Sequence, residues 1–288
     1  MTSVLYDVPG PAARRRARTW SVLGALVVVG LLAAALARLG SQGALDPEAW
    51  SILGDPEVWT FLLEGLLATL RAAALAAVLA AALGFVLAVL RRSSVAPARW
   101  LAAGVVEVFR GLPVVLLMFL GVIALGLSIF QGVVFGLVVY NAAVIAEILR
   151  AGIAGLPTGQ GEAAEAIGLT RFQVLRIVLL PQAIRTMLPT LISQFVVLLK
   201  DTSLGYIVGY AELLRHSRLM AEFFGSDARF PMFVVAAAMY ITVNFLLGRV
   251  AVHLERRGGA GGRTSRRRRP AALAGTLTAG AGAAGGER

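Results

Sequence analysis

Lys200-Asp201-Thr202-Ser203 interrupts an apolar run, and Lys200 is the only lysine of the chain. A cation in such a place suits a substrate carboxylate, and an anion suits its ammonium. These four residues are candidate pathway residues, with a structural hinge as the alternative. Tyr140 and Asn141 are further polar candidates in an otherwise apolar stretch. Charges within or beside apolar spans are costly and call for a reason. Glu107 with Arg110, and Glu147 with Arg150, have the i, i+3 spacing that lets each pair meet on one helix face. Their expected role is structural, holding helices together near span ends. His216 and His253 are isolated, and the chain has no cysteine. No catalytic residue and no metal site is expected, and thiolate chemistry and disulfides are excluded.

A second constellation is polar and helical. Pro157 and Gly159 mark a turn into a helix, and Glu162 is expected near its start, where the backbone dipole favours an acid. Ala163, Ala164 and Ala166 give that helix a slim face. Gly168 permits a left-handed turn, and Thr170 can cap a second helix. Phe172, Leu175 and Leu179 of that second helix share one face, and Pro181 should limit or kink it before the next span. Two short helices joined at Gly168-Leu169-Thr170 also resemble a DNA-binding helix-turn-helix. Membrane spans on both sides leave no three-helix domain to support a recognition helix.

Those elements are positioned by membrane helices. Of the 288 residues, 58% are hydrophobic and 15% charged, whereas soluble domains carry about 25% charged residues. The net charge of +11 is dispersed over short loops and the two ends, which orients a membrane protein and does not bind a nucleic acid. Residues 1–19 are polar and basic, with Arg14-Arg15-Arg16 and Arg18. An extra N-terminal span over 20–39 follows, built on Trp20 to Ala37; a signal peptide cleaved near Ala35-Leu36-Ala37 is its rival. Ala72 to Leu90 can span, and Arg91, Arg92 and Arg99 mark its cytoplasmic end. Gly111 to Ala146 is uncharged and long enough for two spans, with an external turn at Gly126-Leu127-Ser128 and Gln131-Gly132. Residues 150–185 form a cytoplasmic connection. Thr186 to Leu199 is short for a crossing and continues, oblique or broken, towards Val208. Residues 209–229 read as external, and Phe230 to Gly248 is the last span. The fold class is all-α, a polytopic bundle of about six transmembrane helices with both termini cytoplasmic. Residues 256–288 read as a disordered basic tail.

The segment from Glu162 resembles the cytoplasmic loop motif of ATP-binding-cassette (ABC) importer permeases. That motif is Glu-Ala-Ala, three residues, Gly, nine residues, a branched apolar residue, one residue, Leu-Pro. Here it runs Glu162-Ala163-Ala164, Gly168, Val178, Leu180-Pro181, with Val178 where isoleucine is usual. Phe109-Arg110-Gly111-Leu112-Pro113, the stretch from Tyr140 to Ile153, and Lys200 to Leu204 resemble the polar amino-acid branch. The resemblance covers residues 60–255. The stretch from Ser3 to Gly10, with its extra span, is similar to actinobacterial glutamate permease subunits.

The resemblance implies a type I importer permease fold, with a five-helix domain over 60–255 and 150–185 as the coupling loop. It implies that Glu162, Ala163, Ala164, Gly168, Leu180 and Pro181 meet the ATPase. It also implies a bacterial cytoplasmic membrane, import of a polar amino acid such as glutamate, and glutamine or arginine as alternatives. The implied partners are ATPase subunits, a second permease chain or another copy, an extracytoplasmic binding protein and membrane lipid. The only lysine precedes Asp201, so the chain lacks the Gly-x-x-x-x-Gly-Lys-Ser/Thr loop that cradles phosphates. It is expected to bind no cofactor, with ATP and Mg2+ on the ATPase. An ion-coupled secondary transporter is the reading from another class.

Overall fold

The structure, a computed structural model, describes residues 10–258, so the expectations for residues 3–9 and for most of the basic tail lie outside the described residues. Every regular element among the described residues is helical. The chain runs α1 (Pro11–Ser41), α2 (Pro47–Ser51), α3 (Pro56–Leu90), α4 (Ala96–Gly111), α5 (Val114–Phe119) and α6 (Ile129–Ala154). It continues with α7 (Thr158–Ala166), α8 (Arg171–Gln173), α9 (Leu180–Asp201), α10 (Leu213–Phe224) and α11 (Arg229–Gly258). Local chemistry sets several starts. Asp55 caps α3 by accepting from the Glu57 amide, with Pro56 in the first turn. Ser128 and Gln131 form a reciprocal capping box at α6.

Among the described residues, five helical stretches are long and apolar enough to cross a membrane, and a sixth crossing is available if α4 and α5 act as one bent span. Tight packing replaces a water-driven core, so small residues sit where helices meet. Ala72, Ala76 and Ala80 are fully buried on one face of α3, against Ala142 and Ala146 of α6. Gly84 lets the same pair approach, for a Cβ there would stand 2.9 Å from the Ala142 carbonyl. Gly132 and Gly136 do the same for α5, with Met118 packed against Gly136. No residue of α1 is buried.

The bundle has two distinct ends. At 35 residues, α3 is about 52 Å long at 1.5 Å per residue. Val58 and Leu62, in its first turns, pack with Leu213 and Ala221 of α10. Val89, in its last turn, packs with Leu156, Leu175 and Leu180 around α7 and α8. The α1 terminus near Leu39 shares a cavity with Arg229 and Phe230 at the α10 end. Successive crossings therefore alternate between an α10 end and an α7 end.

Several expectations are corrected. The third crossing is not one straight span from Gly111. Leu112 is extended before Pro113 (φ −91°, ψ 140°), and α4 and the helix after it are bent by 107°. Gln131 and Gly132 lie inside α6, and the turn ends at Ser128. The 150–185 connection holds the two expected short helices, α7 and the one that starts at Arg171, and α6 reaches into it as far as Ala154. Pro181 neither stops nor breaks the helix. Proline has no N–H to donate, and the preceding turns, Val174–Leu179, widen to a π-helix in which the Leu180 amide bonds to the Leu175 carbonyl. The helical path then continues from Arg171 to Val208. Leu175 is buried while Phe172 is exposed, so the two do not share one buried face.

Candidate functional site

At the α7 end a short helix stands clear of the bundle. Ala164 is its buried anchor, while Glu162, Ala163, Glu165 and Ala166 are exposed. Glu162 sits in the middle of α7, beyond the first turn, so the dipole argument for its position does not hold. Gly168 closes the helix at φ +89°, with no atom within 4 Å of where a Cβ would be. Its amide bonds to the Glu165 carbonyl at 2.9 Å, and Leu169 reaches back to the Ala164 carbonyl at 3.2 Å. This is the left-handed closure that glycine permits. Thr170 and Gln173 then form a reciprocal capping box. Leu180 is buried with Ile153, Leu175 and Ala183, whereas Pro181 is exposed. The six residues of the loop motif thus divide into an exposed ridge and a buried root.

Ion pairs join the helices that end near this ridge. Glu147 of α6 accepts from Arg150 at 2.6 Å, the expected partner, and also from Arg91 at the end of α3 at 2.6 Å. Arg110 forks onto both oxygens of Glu107 at 2.7 Å. Both i, i+3 pairs are therefore formed, and Arg91 adds a bridge between helices.

The polar interruption after α9 is a tight 3-10 turn, Thr202–Val208. Lys200 and Ser203 line a cavity of about 440 Å³ between α9 and α11, with Leu214, Tyr240 and Asn244. The Asn244 amide nitrogen donates to the Tyr240 carbonyl at 2.7 Å, and its Oδ1, as the amide is assigned, is buried without a partner. Lys200 thus brings one cation to the lining of a largely apolar cavity, while the Asn244 oxygen is shut away from it. Neither Asp201 nor Thr202 lines it; Thr202 is fully buried and donates to the Leu199 carbonyl at 2.6 Å. Asn141 is also fully buried, where its side-chain carbonyl accepts from Gln194 of α9 at 2.8 Å. Tyr140 is half-buried against the α3–α6 core. The six pathway candidates are therefore not gathered in one cavity. Among the described residues, no group of His, Asp and Glu is arranged as metal ligands.

Glu212, Tyr240, Asn244 and Gln194 complete these arrangements without a reading from sequence, and Arg91 adds a bridge where the sequence marks only a span end. Glu212 is fully buried and caps α10, accepting from the Leu214 and Arg215 amides at 2.9 Å and from the Tyr240 hydroxyl. Burial pushes its carboxyl above the usual range, against the opposing pull of those three donors. The Tyr210 hydroxyl is also pushed up, first by burial and then by the Glu212 charge. An acid just before the amphipathic stretch from Leu213 was the available sequence signal for the cap.

The sequence model of the binding-protein-dependent transport system inner membrane component family matches residues 52–258. Over 232 residues the chain is 41% identical to the glutamate transport system permease protein GluD of Corynebacterium glutamicum, covering 77% of this chain and 84% of that one. It is 36% identical over 201 residues to the probable glutamine ABC transporter permease protein GlnP of Bacillus subtilis, covering 68% and 92% respectively. A chain of an amino acid ABC transporter solved with histidines superposes with a TM-score of 0.65 at 30% identity, covering 72% of this chain and 98% of that one.

Proposed function

The chain belongs to the binding-protein-dependent transport system inner membrane component family, and from that premise we propose that it is the permease through which an ABC importer brings glutamate into a bacterial cell. The observation that carries the substrate is its likeness to the Corynebacterium glutamicum glutamate permease. The cavity beside Lys200 agrees in chemistry. The ammonium of Lys200 suits a substrate carboxylate. Asp201, Thr202, Tyr140 and Asn141 then serve the path indirectly, through the backbone turn and the packing of α6 on α9.

The α7 end is the cytoplasmic end in this reading. Arg91, Arg92, Arg99, Arg171, Arg176 and Arg185 cluster there, as the positive-inside rule requires. The exposed ridge from Glu162 to Gly168 takes a groove of a separate ATPase subunit, which holds ATP and Mg2+. Leu180 and Pro181 transmit the push into α9. A second permease chain, similar or identical, completes the path, and a substrate-binding protein delivers the amino acid at the α10 end. The subunits then rock between inward- and outward-open states.

The test is uptake of labelled glutamate into proteoliposomes holding the whole complex, with unlabelled glutamine and arginine as competitors. ATP-dependent uptake that excess glutamate blocks best is expected. Uptake that survives ATP depletion under a clamped ion gradient would make the chain an ion-coupled transporter. Stronger competition by arginine or glutamine would overturn the substrate.

A further inference from the structure

One fully buried acid has no part in the path or the coupling ridge. Glu212 lies between the 3-10 turn after Lys200 and α10, and three donors converge on its carboxylate. Two of them come from the first turn of α10, the amides of Leu214 and Arg215. The third is the Tyr240 hydroxyl of α11. Leu214 and Tyr240 are also walls of the Lys200 cavity. A single side chain therefore holds two walls of that cavity, on two different helices, from behind.

The anchorage continues into α3. The Leu213 amide donates to the Thr69 hydroxyl at 3.1 Å, and that hydroxyl donates to the Gly65 carbonyl at 3.0 Å. The Tyr210 hydroxyl donates to the Ala68 carbonyl at 2.8 Å. The His216 ring packs on Gly65 so closely that a Cβ there would meet it at 2.7 Å. The start of α10 is thus fixed to α3 by backbone and hydroxyl groups. The Ser217 hydroxyl, donating to the Met232 carbonyl at 2.9 Å, and the packing of Leu213 and Ala221 on Met232 hold α10 to the start of α11, and the bond from Tyr240 to Glu212 extends that hold to the cavity wall. Hydrogen bonds to a charged, desolvated acceptor are stronger than neutral ones and define a geometry.

We infer that Glu212 is a positioning residue for the Lys200 cavity, clamping Tyr240 and Leu214 so that the cavity keeps the width that fits an amino acid. The inference rests on the reading of that cavity as part of the amino-acid path. A plain helix cap would need only the two amide contacts, and the Tyr240 contact is what distinguishes a clamp from a cap.

Glu212→Asp separates the two roles. Aspartate is a favoured N-cap but is one methylene too short to keep Tyr240 in place. Tyr240→Phe removes the same bond while keeping both amide contacts, so it reports even if the shortened acid fails to fold. Uptake by the complete complex is measured for each variant, for the pair together and for Lys200→Met. Glu212→Asp and Tyr240→Phe should each raise KM roughly fivefold, equal to about 1 kcal/mol, with kcat nearly unchanged, whereas Lys200→Met should lose uptake. The double variant should be no worse than either alone. Because the chain has no cysteine, Ala237→Cys in the cavity wall supplies a readout independent of transport. Its rate of labelling by a maleimide should change about threefold or more when the Tyr240 bond is lost, as expected for a bond near 1 kcal/mol.

Wild-type KM and labelling in Glu212→Asp, with uptake lost in Lys200→Met, would reduce Glu212 to a cap and leave the cavity reading intact. A raised KM in Tyr240→Phe alone would mean that its hydroxyl meets substrate directly, and would overturn the clamp. Normal uptake by Lys200→Met would sink the cavity reading instead. The Ala237→Cys labelling rate would still decide whether Glu212 holds Tyr240.

Discussion

Gly168 and Glu212 show how differently single residues declare themselves. A glycine four residues after the alanine that anchors α7 is a visible helix stop, and the backbone does turn left-handed there. Gly168→Ala should cost roughly 1 kcal/mol in backbone strain and nothing in packing, because the site is open. Gly168→Asp adds a charge to the surface proposed to meet the ATPase. It should insert normally but lose both uptake and ATPase association in pull-down from membranes, and normal uptake would defeat the coupling assignment. Glu212 was legible only as one acid among several between two spans, because its partner Tyr240 lies 28 residues away. Its burial has a pH signature. The folded carboxyl holds its proton above the ordinary value of 4.5. Between those two values the folded state binds a proton that the unfolded chain has released, so stability falls as pH rises. The melting temperature of the wild type, measured against Glu212→Gln to cancel His216 and other titrating neighbours, should decline from about pH 4.5 upward. A rise would show that the three donors outweigh burial.

At the scale of elements, spacing within one helix was readable and contact between helices was not. The i, i+3 rule finds Glu147 with Arg150. It is silent on Arg91, which is 56 residues away and holds the end of α3 to α6. Gly111-Leu112-Pro113 carried the information for the bend between α4 and α5, since a residue before proline is pushed out of the helical region. The uncharged run around it concealed that bend, because a run fixes apolar length and says nothing about straightness. The energetic consequence lies with Arg91. Its side chain is 14% exposed against 40% for Arg150, so removing its partner leaves a poorly solvated charge. Glu147→Gln should destabilise by about 1–3 kcal/mol, and Arg91→Ala should cost more than Arg150→Ala, which as a half-exposed pair is worth about 1 kcal/mol or less. Thermal melting of the detergent-solubilised subunit checks the order. Equal losses for both arginines would show that the bridge between α3 and α6 carries no special weight.

Over the whole molecule, the alternation of spans follows from what the two ends of α3 touch. Its first turns meet α10 and its last turn meets the root of α7. A helix about 52 Å long exceeds the hydrocarbon core of roughly 30 Å, so α7 and α10 must lie on opposite sides of a membrane. The direction proposed from arginine placement puts α7 in the cytoplasm. A cysteine-free chain makes this directly testable. Ile167, beside the coupling glycine, is 79% exposed, and Phe223, near the end of α10, is 81% exposed. A thiol at either site should therefore react freely from its own side without disturbing a core. In intact cells a membrane-impermeant maleimide should label Phe223→Cys and spare Ile167→Cys, and inside-out vesicles should reverse the pattern. Labelling of both from one side would break the alternation itself. A reversed pattern with the sides exchanged would keep the bundle but put α7 outside, where no ATPase could reach it, and the importer reading would fall with the topology.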